Sequence, residues 1–260
     1  MENVIDIEFF RMILAYLLIV IILIMVRLRG LNREKEIIIS TIRMSLQLFL
    51  TGNILVHVFK NPSPIVTISI IFAMEIFAIN NIYKRVKTNL SKDLKKIIAL
   101  SMSVGTISSL LFFLLIIVNI KPWYNPRYFI PIAGMLIGNS MTGITLGVSK
   151  LVSSMNERSN LIESALMIGA TPKMACKEIV DESVDFAILP TINSMIGMGI
   201  VFLPGMMSGQ ILSGISPITA IEYQIAIMLC IFFSVSLTVL LFVNLGYKTF
   251  FNNQSQLILE

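Results

Sequence analysis

The sequence predicts an all-α protein: a polytopic transmembrane helical bundle of about seven spans, one membrane domain over residues 1–260. Three observations predict it. The 260 residues are 56% hydrophobic and only 13% charged, whereas a soluble domain is about a quarter charged. Apolar runs close to the roughly 20 residues that cross a bilayer recur along the whole chain. No alternating segments of about ten residues occur, and only helices or closed barrels satisfy the backbone in lipid.

The first span, about Phe9–Val26, follows Glu2, Asp6 and Glu8. A secretory signal is basic at that position, so this run is expected to be a retained helix. The second, Ile37–Phe59, carries Arg43 and, one turn on, Gln47; His57 near its end suits an interface better than a metal. The third, Ile65–Tyr83, holds the carboxylate Glu75. Arg43 and Glu75 lie at similar depths from the same side, roughly 9 to 12 Å at 1.5 Å per residue, so they are expected to pair. The fourth span is Ile97–Ile120.

The fifth, Tyr128–Val152, carries Gly134-x-x-x-Gly138 and Gly143-x-x-x-Gly147 on opposite faces, so close helix neighbours are expected on both. Between the seams stand Asn139, Ser140, Met141 and Thr142. The sixth, Phe186–Met207, carries Asn193, Ser194, Met195 and Met198 and ends on Pro204, Gly205, Met206 and Met207, a pair of helix breakers followed by thioethers. The seventh is Ala220–Leu245. Polar groups in lipid are expensive and therefore candidates for a translocation pathway. Those are Arg43, Gln47, Glu75, Asn139, Met141, Asn193, Pro204, Gly205, Met206 and Met207.

Orientation follows from the basic residues. Arg27, Arg29, Arg33 and Lys35 fall in the first loop; Lys84, Arg85, Lys87, Lys92, Lys95 and Lys96 in the third; Lys150, Arg158, Lys173 and Lys177 in the fifth; Lys248 in the tail. These are 15 of the 20 Lys and Arg (4 + 6 + 4 + 1). The odd loops are thus expected in the cytoplasm, the N-terminus outside and the C-terminus inside. Trp123 and the tyrosines at 83, 124, 128, 223 and 247 fall near span ends, where an aromatic belt belongs. With its basic residues confined to short loops, the net charge of +5 points to membrane topology and not to nucleic acid.

The loop 153–185 is expected to form a cytoplasmic helical hairpin. Glu157–Ile168 makes one helix; Gly169 stands where a left-handed C-terminal cap belongs. Thr171 caps the next helix and Pro172 occupies its first position. The set Glu163, Ala165, Gly169, Ala170 and Pro190 looks like the "EAA" segment of ABC-transporter permeases, a short coupling helix that docks on the ATPase. On local pattern alone, docking and merely capping the bundle both stay open. Further on, Glu178, Asp181, Glu182 and Asp185 share one helix face; a solvated face with a Lys177–Asp181 pair competes with a cation-loading site.

Longer stretches add a family resemblance: Ile130-Pro-Ile-Ala-Gly-Met-Leu-Ile-Gly-Asn-Ser-Met141, Leu166-Met-Ile-Gly-Ala-Thr-Pro-Lys173, Leu189-Pro-Thr-Ile-Asn-Ser194, Leu203-Pro-Gly-Met-Met-Ser-Gly209 and Glu222-Tyr-Gln224, with Arg43-x-x-x-Gln47-Leu48. With them the chain resembles the FetB (YbbM-like) family of metal-exporting ABC permeases. The resemblance implies a multi-pass permease of the bacterial plasma (inner) membrane, a FetA-like ATPase subunit as partner, a homodimer of permeases, and iron export. Export of another cargo, such as a lipid or drug, is the alternative. No cofactor is expected on this chain; ATP-Mg belongs to the partner. The acidic face departs from the family pattern, which is basic around Asp181 and Asp185.

Other classes fit less well. An enzyme needs a nucleophile or metal constellation, and neither HExxH nor GxSxG occurs. A self-powered pump needs a nucleotide site, and GxxxxGK[ST] does not occur. The two cysteines, Cys176 and Cys230, have no ligand spacing. Iron(II) takes oxygen and nitrogen donors and thioethers suit softer ions, so without a mid-membrane His or carboxylate cluster the metal ligands stay unassigned.

Overall fold

A computed structural model describes residues 8–86, 90–252 and 254–258; Glu2, Asp6 and Lys87 lie outside them. The described residues form ten α-helices and no β-sheet, and they divide into two compact units, Met1–Asn61 with Leu212–Gly214, and Pro62–Ile211 with Ile215–Glu260.

The first unit is a helical pair, α1 (Phe9–Leu28) and α2 (Glu34–Lys60). Gly30 turns the chain between them and Tyr16 Oη lies 2.6 Å from Ser45 Oγ across the pair. Both helices expose leucine, isoleucine and valine on nearly every side, the pattern of helices whose solvent is lipid.

The second unit is the bundle: α3 (Pro64–Arg85), α4 (Lys92–Phe112, prolonged by a π-helical turn Phe113–Ile117), α5 (Pro126–Glu157), α6 (Ser159–Met167), α7 (Pro172–Ala175), α8 (Lys177–Gly197), α9 (Gly205–Leu212) and α10 (Pro217–Gly246). Proline opens α3, α5, α7 and α10 at the first turn, where no N–H is needed. Helix α5 is 32 residues long and lies between α3, α4, α8 and α10. The core is fully apolar at Phe113, Phe242, Ile98, Met102, Leu136 and Ile144.

Close packing on α5 is uneven. A Cβ on Gly143 would lie 2.7 Å from Val235 Cγ1, and one on Gly147 3.4 Å from the Ala187 Cβ, so this seam seats α8 and α10. On the other seam, Gly134 faces Met74 of α3, while space beside Gly138 is open. The tightest approach is elsewhere. Gly105 of α4 lies against Thr238 of α10: an added Cβ would overlap Thr238 Oγ1 and stand 3.0 Å from its Cβ. Ser101, Gly105 and Ser109 are buried one turn apart, and Ser234 Oγ lies 2.9 Å from Ser140 Oγ of α5. Small residues at this spacing let helix backbones meet in lipid.

Six helices, α1–α5 and α10, are long and apolar enough to cross a membrane. The predicted sixth span is not one helix. Helix α8 stops at Gly197, the chain passes Gly199 at φ +85° with a bridge between Met198 and Phe202, and helix resumes at Gly205. The break thus falls several residues before Pro204, because Gly199 takes a left-handed backbone that other residues avoid.

Candidate functional site

The site residues predicted from the sequence fall into three groups: the hairpin, a pocket between α5 and α8, and positions scattered over other helices. The hairpin follows from local chemistry. Helix α6 ends in a two-bond cap: Gly169 N–H donates to the Leu166 carbonyl and Ala170 N–H to the Ala165 carbonyl, both at 3.0 Å, with Gly169 at φ +94°. This is the Schellman arrangement, which needs glycine at the left-handed position. Thr171 Oγ1 then accepts from Met174 N–H at 3.3 Å and Pro172 starts α7. Nothing lies within 4 Å of a Cβ added to Gly169.

Around this bend large apolar side chains are bare. Met167 is 84% exposed, Ile168 88% and Met174 69%. Glu163, Leu166, Met167 and Ala170 form one wall of an open groove of about 600 Å³, and Gln254–Leu257 of the tail form the other. The tail is held there by Ile258 N–H donating to the Phe250 carbonyl at 2.7 Å.

The hairpin is anchored by charge. Arg158, between α5 and α6, donates from Nη2 to Glu182 Oε1 at 2.8 Å, and Lys150 Nζ lies 3.1 Å from Glu182 Oε2. Arg158 also lies 3.8 Å from Glu178. The hydrogen bond from Arg158, then that from Lys150, holds the Glu182 carboxyl below the usual carboxylate range. Half of the predicted acidic face is therefore a clamp from α8 to α5, and Asp181 and Asp185 are exposed. Cys176 sits beneath, its Sγ 3.7 Å from Met155 Sδ, with burial pushing its thiol up to about 11.

Between α5 and α8 lies a small open pocket of about 60 Å³ lined by Asn139, Thr142, Gly143, Pro190, Thr191 and Ser194, of which Asn139, Thr142 and Pro190 are exposed. Asn139 Nδ2 donates to the Met135 carbonyl at 2.8 Å and Ser194 Oγ to the Pro190 carbonyl at 3.0 Å. Pro190 has no N–H, so the Phe186 carbonyl loses its usual helical donor. The pocket is thus a set of oxygen donors next to a weakened helix turn. Thr191 was not singled out from the sequence. Its signal was there: Ala187, Pro190, Thr191 and Ser194 recur at helical spacing on one face.

The other predicted pathway residues do not join this pocket. Met141 turns to α3, where its Sδ accepts from Asn81 Nδ2 at 3.3 Å. Asn193 is exposed on the opposite side of α8 from Thr191, and Pro204, Gly205, Met206 and Met207 stand at the start of α9. Glu75 is buried between α3, α4 and α5, with Thr106 Oγ1 3.1 Å from its Oε2. Arg43 and Gln47 belong to α2, in the other unit. Among the described residues no three His, Cys, Asp or Glu side chains come together as a metal set.

Residues 9–251 match the model of the Uncharacterised protein family UPF0014. The chain is 31% identical over 245 residues to the "Probable iron export permease protein FetB" of Escherichia coli, across 94% of this chain and 93% of that one. It is 34% identical over 224 residues to the "UPF0014 membrane protein YjkA" of Bacillus subtilis, across 86% and 88%. It is also 34% identical over 203 residues to the "Protein ALUMINUM SENSITIVE 3" of Arabidopsis thaliana, across 77% and 71%. No solved structure matches the chain.

Proposed function

The chain is a multi-pass membrane protein belonging to the UPF0014 family, and from that premise we propose that it is the membrane-spanning permease subunit of an ABC transporter. On this reading it works in a bacterial plasma membrane as a homodimer with a separate FetA-like ATPase subunit, and exports a metal ion, iron, using ATP-Mg bound by the partner. The observation that carries the proposal is the hairpin bend. Met167, Ile168 and Met174 offer bare apolar surface on a rigid double cap outside the six long apolar helices, where a soluble partner and not lipid would cover it. Glu163, Ala165, Gly169, Ala170, Thr171 and Pro172 form the docking element, and the clamp from Arg158 and Lys150 to Glu182 transmits its movement to α5 and α8. The FetB relative carries the iron export permease name; the absence of a three-residue metal set among the described residues keeps a lipid or drug cargo as the alternative.

The pathway follows from the pocket on α5 and α8: Asn139 and its oxygen neighbours form a weak, transient station. Met141, Asn193, Pro204, Gly205, Met206 and Met207 line other stages, as do Glu75 of α3 and, in the first unit, Arg43 and Gln47 of α2. Co-purification with the cognate ATPase after Gly169→Asp or Glu163→Lys tests the docking half. Both positions are exposed; the lysine should cost at most about 0.5 kcal/mol of stability. Aspartate at a left-handed position costs about 1 kcal/mol, since Asp tolerates it better than most residues. Folding and insertion survive, and ATPase association is lost. Asn139→Ala or Met206→Ala does the reverse, keeping association and slowing transport. A Gly169→Asp permease that binds its ATPase and transports like the parent returns the hairpin to a mere cap.

A further inference from the structure

We propose that the corner between α1 and α2 binds one anionic phospholipid, its phosphate held by Arg33 at the loop and an acyl chain lying in the groove between the two helices. The groove belongs wholly to the first unit and measures about 490 Å³, the size of many small-molecule sites. Val26 of α1 and Ile37, Ser40 and Thr41 of α2 line it, with Arg33 and Glu36 at the loop end. From Arg33 to Thr41 a helix advances about 12 Å at 1.5 Å per residue. The groove therefore runs from the charged loop into the apolar length of the pair. One turn beyond Thr41 the helices meet, where Tyr16 Oη lies 2.6 Å from Ser45 Oγ.

The charges select the amphiphile. Between residues 27 and 36, Arg27, Arg29, Arg33 and Lys35 stand against Glu34 and Glu36, four positive charges to two negative. All four basic residues are exposed. Helices α1 and α2 are both long and apolar enough to cross a membrane, so the short loop joining them stands in the headgroup layer. Basic clusters there attract anionic headgroups. Two features aim the charge at a phosphate. Glu36 Oε2 accepts from Arg33 Nη1 at 2.9 Å, which orients the guanidinium and leaves its Nε and Nη2 edge, a fork that binds phosphate oxygens in pairs. No side chain caps the N-terminus of α2, so its first N–H groups have no side-chain acceptor and suit a phosphate oxygen. Glu36 would repel an anion on its own, but its carboxylate is already paired with Arg33. The bare leucine, isoleucine and valine side chains of both helices give an acyl chain its surroundings, which a free phosphate would not use. This lipid is part of the protein's own boundary and not its cargo, and the proposal is independent of ATPase docking.

Native mass spectrometry of the purified full-length chain in a mild detergent tests it, with phosphatidylglycerol and phosphatidylethanolamine of the same acyl chains offered in equal amounts. The expected result is one phosphatidylglycerol retained in preference to phosphatidylethanolamine, which carries no net charge. Arg33→Gln should weaken that retention on the order of tenfold, the loss of a two-pronged charged contact. Arg33→Lys, which keeps the charge without the fork, should fall between. Ser40→Trp fills the groove, leaves every charge in place and should abolish retention. Lys60→Gln removes a positive charge at the other end of α2 and should change nothing. Excess glycerol phosphate, a headgroup without a chain, should not displace the lipid. Arg33, Ser40 and Lys60 are exposed, and matched elution on gel filtration establishes that each variant is folded. Equal retention of the two lipids by the parent chain overturns the proposal without recourse to any variant. So does retention that survives Ser40→Trp, or Lys60→Gln acting as strongly as Arg33→Gln, which would mean net charge alone. Displacement by glycerol phosphate also overturns it, since the groove would then hold no chain. These outcomes leave the permease reading untouched, since it stands on ATPase association.

Discussion

Replacing Gly105 by alanine should force α4 and α10 apart. The new methyl would overlap Thr238 Oγ1 and lie 3.0 Å from Thr238 Cβ and 3.1 Å from its Cα. Rotating the hydroxyl away does not help, because Cβ and Cα stay in place and Oγ1 gives up its 2.7 Å bond to the Ser234 carbonyl. The backbones must separate by several tenths of an ångström. Overpacking of this kind costs about 1–3 kcal/mol, against a gain of about 0.5–1 kcal/mol for alanine over glycine within a helix. Taken together these predict a net loss of about 1–2 kcal/mol. Thr238→Ala in the same chain removes the overlapping oxygen and should recover part of the loss, a coupling of about 0.5 kcal/mol or more. Gly138→Ala, with nothing within 4 Å of the added Cβ, is the control and should be neutral or slightly stabilising. A thiol-reactive dye followed against temperature in detergent reads all four proteins, because Cys176 and Cys230 are free and buried. A Gly105→Ala melting curve superimposed on the parent, or no recovery with Thr238→Ala, refutes the reasoning.

Other outcomes follow from the same structure. With burial holding the Cys176 thiol up at about 11, maleimide should leave it unmodified in the native protein near neutral pH and react after denaturation in SDS. For the clamp, the hydrogen bonds from Arg158 and Lys150 hold the folded Glu182 carboxyl below its ordinary, unfolded value. Its stabilisation is therefore complete above that value and lost as pH falls through the depressed folded value. Melting curves of wild type and Glu182→Gln should differ at neutral pH and converge in acid; a gap that persists in strong acid would show that Glu182 acts by packing. Topology is tested by single-cysteine labelling of intact cells, where position 123 should react and position 169 should not, and labelling of 169 from outside would invert the orientation.

Legibility in the sequence followed the range of the interaction. The bend at Gly169, Thr171 and Pro172 was legible to the residue, since caps are made between neighbours in the chain. Five of the spans lie within a few residues of their predicted ends for the same reason, and the fourth finishes in a π turn. The sixth is broken earlier than Pro204 and Gly205 suggest, because its break depends on Gly199 and on Met198 meeting Phe202. Glu178 and Glu182 read as solvated because their partners, Lys150 of α5 and Arg158 just after it, lie some 20 to 30 residues earlier in the chain. Asn139 was found by its cost in lipid, yet Met141 two residues on faces α3, a divergence that helical geometry dictates once α5 has neighbours on several sides. The Gly105 contact has its own signal in the sequence, since Ser101, Gly105 and Ser109 repeat at four-residue spacing as plainly as the glycine pairs of α5.

The length of α5 has a mechanical corollary. Its 32 residues, with Pro131 inside the second turn, make a rod of about 48 Å at 1.5 Å per residue, well beyond the roughly 30 Å of a bilayer's hydrocarbon layer. Such a rod is a lever. A tilt of about 10° carries one end roughly 8 Å relative to the other, while a point midway, where Asn139 stands, travels about half as far. Force applied at Arg158 would thus arrive at the pocket with its amplitude reduced and its leverage increased, a gearing that suits a large stroke outside the membrane to a small opening within it.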